Sequence, residues 1–218
     1  MAGLILAPII AAAHNISGAN ASFVQGLIGS APVPFLYLGA KHMVTGYDHL
    51  LYLVGVVFFL RRFRDVLLYV TLFTLGHSIT LMAGVLVNVN VNAYLVDTII
   101  GLSVAYKAFE NMNGFKQVFG VQPDARLAVF VFGLCHGLGL ATKVQELSLS
   151  PDYLVTNLLS FNVGVELGQA IALACILVVL AQWRHRTSFQ RHAFFANTVL
   201  MSAGFSLAGY QFASYFWA

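Results

Sequence analysis

Charged residues are scarce in this chain of 218 residues, at 9%, whereas 59% of the residues are hydrophobic. A soluble domain carries roughly 25% charged residues, because charge is needed to cover a surface that faces water. The shortage therefore excludes a soluble enzyme, a nucleic-acid-binding protein and a disordered chain. The class that remains is a small membrane protein that crosses the bilayer several times.

Cysteines and the common nucleotide-binding and catalytic motifs are also scarce or missing. The two cysteines, Cys135 and Cys175, both lie inside apolar stretches, so the sequence predicts no disulfide framework. No G-x4-G-K-S/T motif occurs, which excludes the phosphate-binding loop of an ATP-driven pump. No H-E-x-x-H motif occurs either, which argues against a common form of zinc hydrolase.

Five apolar runs are long enough to cross a bilayer, for which about 20 residues are needed. A sixth, Met43–Leu60, is long enough if its polar start at Thr45–His49 is counted as the entrance of the helix. They predict an all-α membrane bundle of six core transmembrane helices, with residues 41–218 as one domain. Residues 1–40 form a separate apolar or interfacial segment in this prediction, with a seventh span as the alternative. The six runs are Met43–Leu60, Val66–Leu86, Ala93–Met112, Arg126–Ala141, Tyr153–Gln182 and Ala193–Trp217.

Two short apolar stretches make up most of the N-terminal segment. Gly3–Ala13 is too short to cross a bilayer and resembles the apolar part of a signal peptide, with small residues at its end. Phe23–Gly39 contains Pro32 and Pro34, which predict a broken or interfacial helix. The sequence leaves open whether this segment is cleaved, lies at the interface or spans the membrane.

The loop charges predict how the helices are oriented. Basic loops stay on the cytoplasmic side of a membrane. The sequence therefore predicts an integral protein of a bacterial cytoplasmic membrane, with both ends of the six-helix core facing outside. The arginines that decide this follow the first span or precede the last one: Arg61, Arg62, Arg64, Arg184, Arg186 and Arg191.

Ionisable side chains inside the predicted spans indicate a metal site. Such groups cost several kcal/mol each in hydrocarbon, so they face the bundle interior and tend to be functional. Imidazole and carboxylate together suit Ni, Co, Zn, Cu and Fe, so the predicted ion is a divalent transition metal of unassigned identity. The candidate ligands are His42, Asp48, His49, His77, His136 and Glu166. Asp48 could instead orient a histidine through a hydrogen bond.

Further polar residues are predicted to support this site or to line a pathway from it. Asn162, Glu166 and Gln169 stand at positions i, i+4 and i+7, on one face of a helix. Glu110 and Asn111 lie near the inner end of the third span, where they could receive an ion. Two other charged residues of that span, Asp97 and Lys107, are interpreted as a helix cap and a snorkelling side chain.

Five ordered blocks between Gly39 and Gln169 resemble the HupE/UreJ family of membrane proteins, in its branch with G-x-D-H-L-L and F-N-x-G-V-E-L-G-Q blocks. The resemblance implies a helical-bundle permease, associated in the family with nickel or cobalt supply to hydrogenase and urease. The blocks are His42-x3-Gly46-x-Asp48-His49, Phe73–Leu81, Glu110-Asn111, Phe132–Gly139 and Phe161–Gln169.

Three functions remain open at this point. Metal transport is favoured, because the candidate ligands form a ladder from the outer mouth to Glu110 and Asn111. An intramembrane metal-dependent hydrolase would use one site and has no need of Glu110. The third function is an accessory subunit or assembly factor of a larger membrane complex. The predicted partners are the lipid bilayer, a metal ion, and either further copies of the chain or a membrane complex.

Overall fold

The computed structural model describes residues 29–145 and 151–217, and within these ranges it is helical and contains no strand. The predicted all-α class is confirmed. The predicted signal-like stretch lies outside the described residues. The elements are α1 (Pro32–Thr45), α2 (Tyr47–Val57), α3 (Phe63–Leu86), α4 (Ala93–Asn111), α5 (Gly114–Phe119), α6 (Ala125–Gln145), a short 3-10 helix (Pro151–Tyr153), α7 (Leu154–Arg184) and α8 (Phe189–Trp217).

Local signals in the sequence set where several helices begin. Pro32 stands in the first turn of α1, where a missing N–H costs nothing. The Asn92 side chain accepts hydrogen bonds from the backbone N–H groups of Tyr94 and Leu95, at 3.0 and 3.3 Å. Asp124 caps the first turn of α6 in the same way. These caps satisfy amide groups that a helix end otherwise leaves without partners.

The first predicted core span, Met43–Leu60, is not one continuous helix. Gly46 separates α1 from α2 and adopts an extended conformation, with φ −73° and ψ 104°. A Cβ added at Gly46 would lie 3.0 Å from Nδ1 of His49 and 3.1 Å from Oδ1 of Asp48. A glycine at the break therefore leaves room for these two side chains. The predicted boundary between residues 40 and 41 falls inside α1.

The long helices pack mainly as three pairs, α1 with α7, α3 with α6, and α4 with α8. Glycines hold each pair at close approach, since a Cβ added at any of them would overlap backbone atoms of the partner helix. Small residues commonly serve this purpose between membrane helices. They are Gly39, Gly164 and Gly168 in the first pair, Gly76, Gly133 and Gly137 in the second, and Gly101 and Gly204 in the third.

Three helices of the described residues are long and apolar enough to cross a membrane, namely α3, α6 and α7, with 24, 21 and 31 residues. Their outward faces expose large apolar side chains such as Leu75, Val131 and Leu159, whereas several charged and imidazole groups are buried. This distribution is the reverse of that in a soluble protein and is typical of an integral membrane protein.

The arginines collect at one end of the bundle, which we call the basic end. It is the end at which α2, α4 and α7 finish and α6 begins. Here Arg184 donates hydrogen bonds to the carbonyl oxygens of Val57 and Phe58, with distances of 2.8 and 3.2 Å to Phe58. The guanidinium group thereby satisfies carbonyl groups at the end of α2 and ties α2 to α7.

Candidate metal centre

Four histidines from four different helices meet in the bundle. The ring centroid of His49, on α2, lies 5.1 Å from that of His42, 5.9 Å from that of His77 and 4.8 Å from that of His136. His49, His77 and His136 are only 3%, 1% and 0% exposed. The close approach of α3 and α6 at Gly76 and Gly137 brings His77 and His136 toward each other.

Asp48, His49 and His136 form the tightest part of this group. One donor atom of each residue lies within 4.8 Å of the donor atoms of the other two, and all three side chains are buried. Two imidazole nitrogens and a carboxylate oxygen are a donor set that suits divalent first-row transition metals. These three residues are therefore the ones whose geometry best fits a metal ion.

A hydrogen bond from His49 to Asp48 decides which nitrogen of His49 can bind a metal. Nδ1 of His49 lies 3.0 Å from Oδ1 of Asp48. Since a carboxylate only accepts, Nδ1 carries the hydrogen, and in the neutral ring the lone pair is on Nε2. This Nε2 is buried and has no hydrogen-bond partner among the described residues. Asp48 thus holds His49 in the form that a metal requires.

Ser103 on α4 likewise determines which ring nitrogen of His136 carries the hydrogen. Its hydroxyl donates its single hydrogen to the carbonyl oxygen of Ile100, at 2.6 Å. The hydroxyl oxygen therefore accepts from Nε2 of His136, which lies 3.1 Å away. This arrangement puts the lone pair of His136 on Nδ1. Ser103 could not be identified from the sequence, because only its contact with α6 distinguishes it from other hydroxyl residues in the spans.

His77 and the aromatic rings around it complete the group. Both ring nitrogens of His77 are buried without a hydrogen-bond partner in the described ranges. Phe73 stacks on His77 at 6.2 Å and meets His136 edge-on at 5.1 Å, while Tyr52 lies 5.2 Å from His136. A buried polar atom without a partner costs about 1–3 kcal/mol. A bound cation would offset that cost at His77.

The structure does not bring Glu166 into this group. Its side chain is exposed on α7. Gly164 lies against α1, and two residues turn a helix by about 200°, so Glu166 is directed to the opposite side. The predicted role of Glu166 as a ligand therefore has no geometric support, although the residue lies in the helix where it was expected.

The two amides beside Glu166 in the sequence face α3 instead of the histidines. Asn162 accepts a hydrogen bond from Ser78 at 3.2 Å, and Gln169 accepts one from Thr74 at 2.8 Å. These bonds link α7 to α3, one helix from each of two neighbouring pairs. The amides support the helices that carry His77 and do not contact its ring nitrogens.

Glu110 and Asn111 lie nearer the basic end than the histidines. Glu110 accepts a hydrogen bond from Lys107 at 3.0 Å. The Asn111 amide donates to the carbonyl oxygen of Gly55 and to the side chain of Asn197, both at 2.9 Å. Lys107 is buried in an ion pair, so its interpretation as a snorkelling side chain was wrong.

Asp97 is likewise part of an ion pair and is not the cap of α4, a role that Asn92 fills. Both carboxylate oxygens of Asp97 accept from Lys143, at 3.0 and 2.9 Å. Lys143 reaches Asp97 because α6 extends to Gln145, beyond the predicted end at Ala141. The ion pairs of Asp97 and of Lys107 thus lie on α4 on either side of Ser103, the residue that contacts His136.

We expect replacement of Ser103 by alanine to weaken metal binding about 10- to 100-fold, the usual effect of losing the partner that orients a ligand histidine. The change removes the acceptor for His136 and the hydrogen bond that the hydroxyl donates to the carbonyl oxygen of Ile100 in its own helix. Equilibrium dialysis with cobalt(II) measures the affinity. Ser202→Ala is the matched control, because the Ser202 hydroxyl is exposed on α8 and donates only to the carbonyl oxygen of Thr198 in the preceding turn. Equal affinities in the two variants would show that Ser103 does not orient His136.

Comparison with known proteins gives one match. A family model described as HupE / UreJ protein matches residues 19–218, which is most of the chain. No curated protein and no solved structure matches. The matched range includes all four histidines and both ion pairs described above.

Proposed function

Because the chain belongs to the HupE/UreJ family, we propose that it is a permease for a divalent transition metal of the nickel and cobalt type, which works without hydrolysing ATP. The observation that carries the proposal is the buried group of Asp48, His49 and His136, with donor atoms within 4.8 Å of one another. The metal is the transported substrate, and no resident cofactor is proposed.

The break between α1 and α2 supports transport, because helices that are interrupted inside the membrane often form the binding sites of transporters. His42 lies in the last turn of α1, just before the break. Asp48 and His49 lie in the first turn of α2, just after the break. In the proposed route, the ion enters at His42 and Asp48, is held by His49, His77 and His136, and leaves toward Glu110.

The proposed topology has six spans: α1 with α2 as one broken span, then α3, α4, α6, α7 and α8. The 19 residues of α4 and the 29 residues of α8 give lengths of about 28 and 43 Å, against a hydrocarbon core of about 30 Å. We propose that the basic end faces the cytoplasm of a bacterium, since basic loops are retained on that side. Both ends of the core then face outside.

One observation favours the accessory-subunit alternative. Glu166 exposes a carboxylate on α7, among outward-facing apolar residues such as Val163 and Leu167. Charged residues in membrane helices normally face protein or water. A second protein over this face would cover the carboxylate.

We propose no hydrolytic activity for the chain, because the single metal site of a hydrolase would have no use for Glu110.

Elemental analysis followed by an uptake assay tests the proposal. The purified protein is loaded separately with Ni, Co, Zn and Cu, and the bound metal is measured by mass spectrometry. We expect about one equivalent of a preferred ion, and saturable uptake of that ion into proteoliposomes without ATP. Binding without uptake would favour the accessory role. Absence of binding for all four metals would contradict both metal transport and a metalloenzyme.

A further inference from the structure

A line of buried polar side chains continues from the histidines toward the basic end, between α2 and α4. On α4, Ser103 contacts His136, and Lys107 follows four residues later, about 6 Å further along the helix. On α2, Tyr52 follows His49 by three residues and Gly55 follows Tyr52 by three residues, so each neighbouring pair in this series lies within one turn of the helix. The two lines meet where Gly55 packs against Lys107.

Tyr52 belongs to this line of polar side chains, and its hydroxyl group has no hydrogen-bond partner among the described residues. The residue is 2% exposed. Its ring lies 5.2 Å from that of His136, and Gly55, three residues further along α2, packs against Lys107. A buried phenol without a partner is unfavourable unless a ligand binds it. Tyr52 therefore lies on α2 between His49, in the histidine group, and Gly55, which packs against the lysine that is paired with Glu110.

The charge of Glu110 is balanced by a lysine on the same helix. Nζ of Lys107 lies 3.0 Å from Oε2 of Glu110, and the two side chains are only 7% and 9% exposed. A lysine in the interior of a membrane bundle is costly and usually marks an ion pathway. The ammonium group of Lys107 places a positive charge beside the carboxylate of Glu110. A carboxylate is also a suitable ligand for a metal cation.

We propose that Glu110 and the Tyr52 hydroxyl form a second cation site on the cytoplasmic side of the histidines, and that Lys107 occupies this site until a metal ion displaces it. The inference deepens the proposed function and rests on it. Lys107 acts as a tethered cation that closes the route at rest. The arriving ion and the ammonium repel each other across a poorly screened interior, so they do not share the carboxylate.

Cobalt(II) binding to the full-length protein in detergent tests the second site. We expect one equivalent in the wild type and two in Lys107→Met, which removes the ammonium and keeps an apolar chain of similar length. The additional equivalent should disappear in the double variant Lys107→Met with Glu110→Gln. Adding Tyr52→Phe to Lys107→Met should weaken it at least tenfold. Lys116→Met is the matched control, because Lys116 is exposed on α5, and it should bind one equivalent.

Uptake of cobalt into proteoliposomes provides a second test that does not depend on Lys107→Met being folded. Glu110→Gln should retain the equivalent at the histidines and lose at least tenfold in uptake rate. A folded Lys107→Met that binds one equivalent, or a Glu110→Gln that transports at the wild-type rate, would overturn the second site. A wild type that binds no cobalt would instead contradict the proposed function itself.

Discussion

Replacement of His136 by alanine is expected to lower the affinity for the metal ion by at least about 100-fold, which exceeds the usual effect of losing a residue that only orients a ligand. His136 is fully buried and contributes one of the three donor atoms that lie within 4.8 Å of one another. The hydrogen bond between Ser103 and Nε2 of His136 fixes the position of the ring. Equilibrium dialysis with cobalt(II) measures the loss, and the absorption spectrum of bound cobalt reports the donor set.

His185→Ala is the matched control for this prediction. His185 is exposed at the end of α7, outside the histidine group, so its removal should leave the bound metal unchanged. His49→Ala should behave like His136→Ala, since His49 contributes a second of the three donor atoms. A His136→Ala variant that kept its metal while His185→Ala lost it would place the site outside the membrane interior.

Replacement of Gly137 by alanine is expected to destabilise the bundle by about 3 kcal/mol, at the upper end of the usual cost of overpacking. A Cβ at this position would overlap the carbonyl oxygen of His77 and the hydroxyl of Thr80. Thr80 cannot easily move, because its hydroxyl also donates to the carbonyl oxygen of Leu134 at 2.7 Å. The backbones of α3 and α6 must then separate, which also moves His77 away from His136.

Thermal unfolding in detergent and cobalt affinity are measured together for this variant. Gly209→Ala is the control, because a Cβ at Gly209 would meet no atom within 4 Å. We expect Gly137→Ala to lose both stability and metal affinity and Gly209→Ala to lose neither. A Gly137→Ala protein with the unfolding temperature and affinity of the wild type would mean that α3 and α6 tolerate a wider spacing.

Much of the histidine group could be predicted from sequence because depth in a membrane follows from position in a span. His77 and His136 each lie near the middle of an apolar run, and polar groups at that depth face the interior. The family assignment also followed from the sequence, and it is confirmed by the match over residues 19–218. The position of the break at Gly46 was not predicted, because the polar stretch Thr45–His49 was interpreted as the entrance of one continuous span.

The orientation of Glu166 and the ion pairs could not be predicted in the same way. Helical periodicity relates Glu166 to its neighbours on α7, but only the packing against α1 decides which side faces inward. Asp97 and Lys143 lie on different helices, so their pairing depends on how α4 and α6 meet. Asp97 was therefore interpreted from its own helix, without the partner that the fold provides. Glu110 stands three residues from Lys107 on the same helix, but the burial of this pair depends on the packing of α4 against α2.

The hydrogen bonds of His49 and His136 have a consequence for how membrane voltage would act on the proposed transport. In the neutral form of each imidazole, one nitrogen carries the hydrogen toward its partner and the other carries the lone pair. An ion that binds to the neutral rings displaces no proton from them, so in the proposed transport it would cross with both of its charges. Each charge gains about 2.3 kcal/mol per 100 mV across a membrane that is negative inside. For a divalent ion the voltage alone therefore contributes about 4.6 kcal/mol toward uptake at 100 mV.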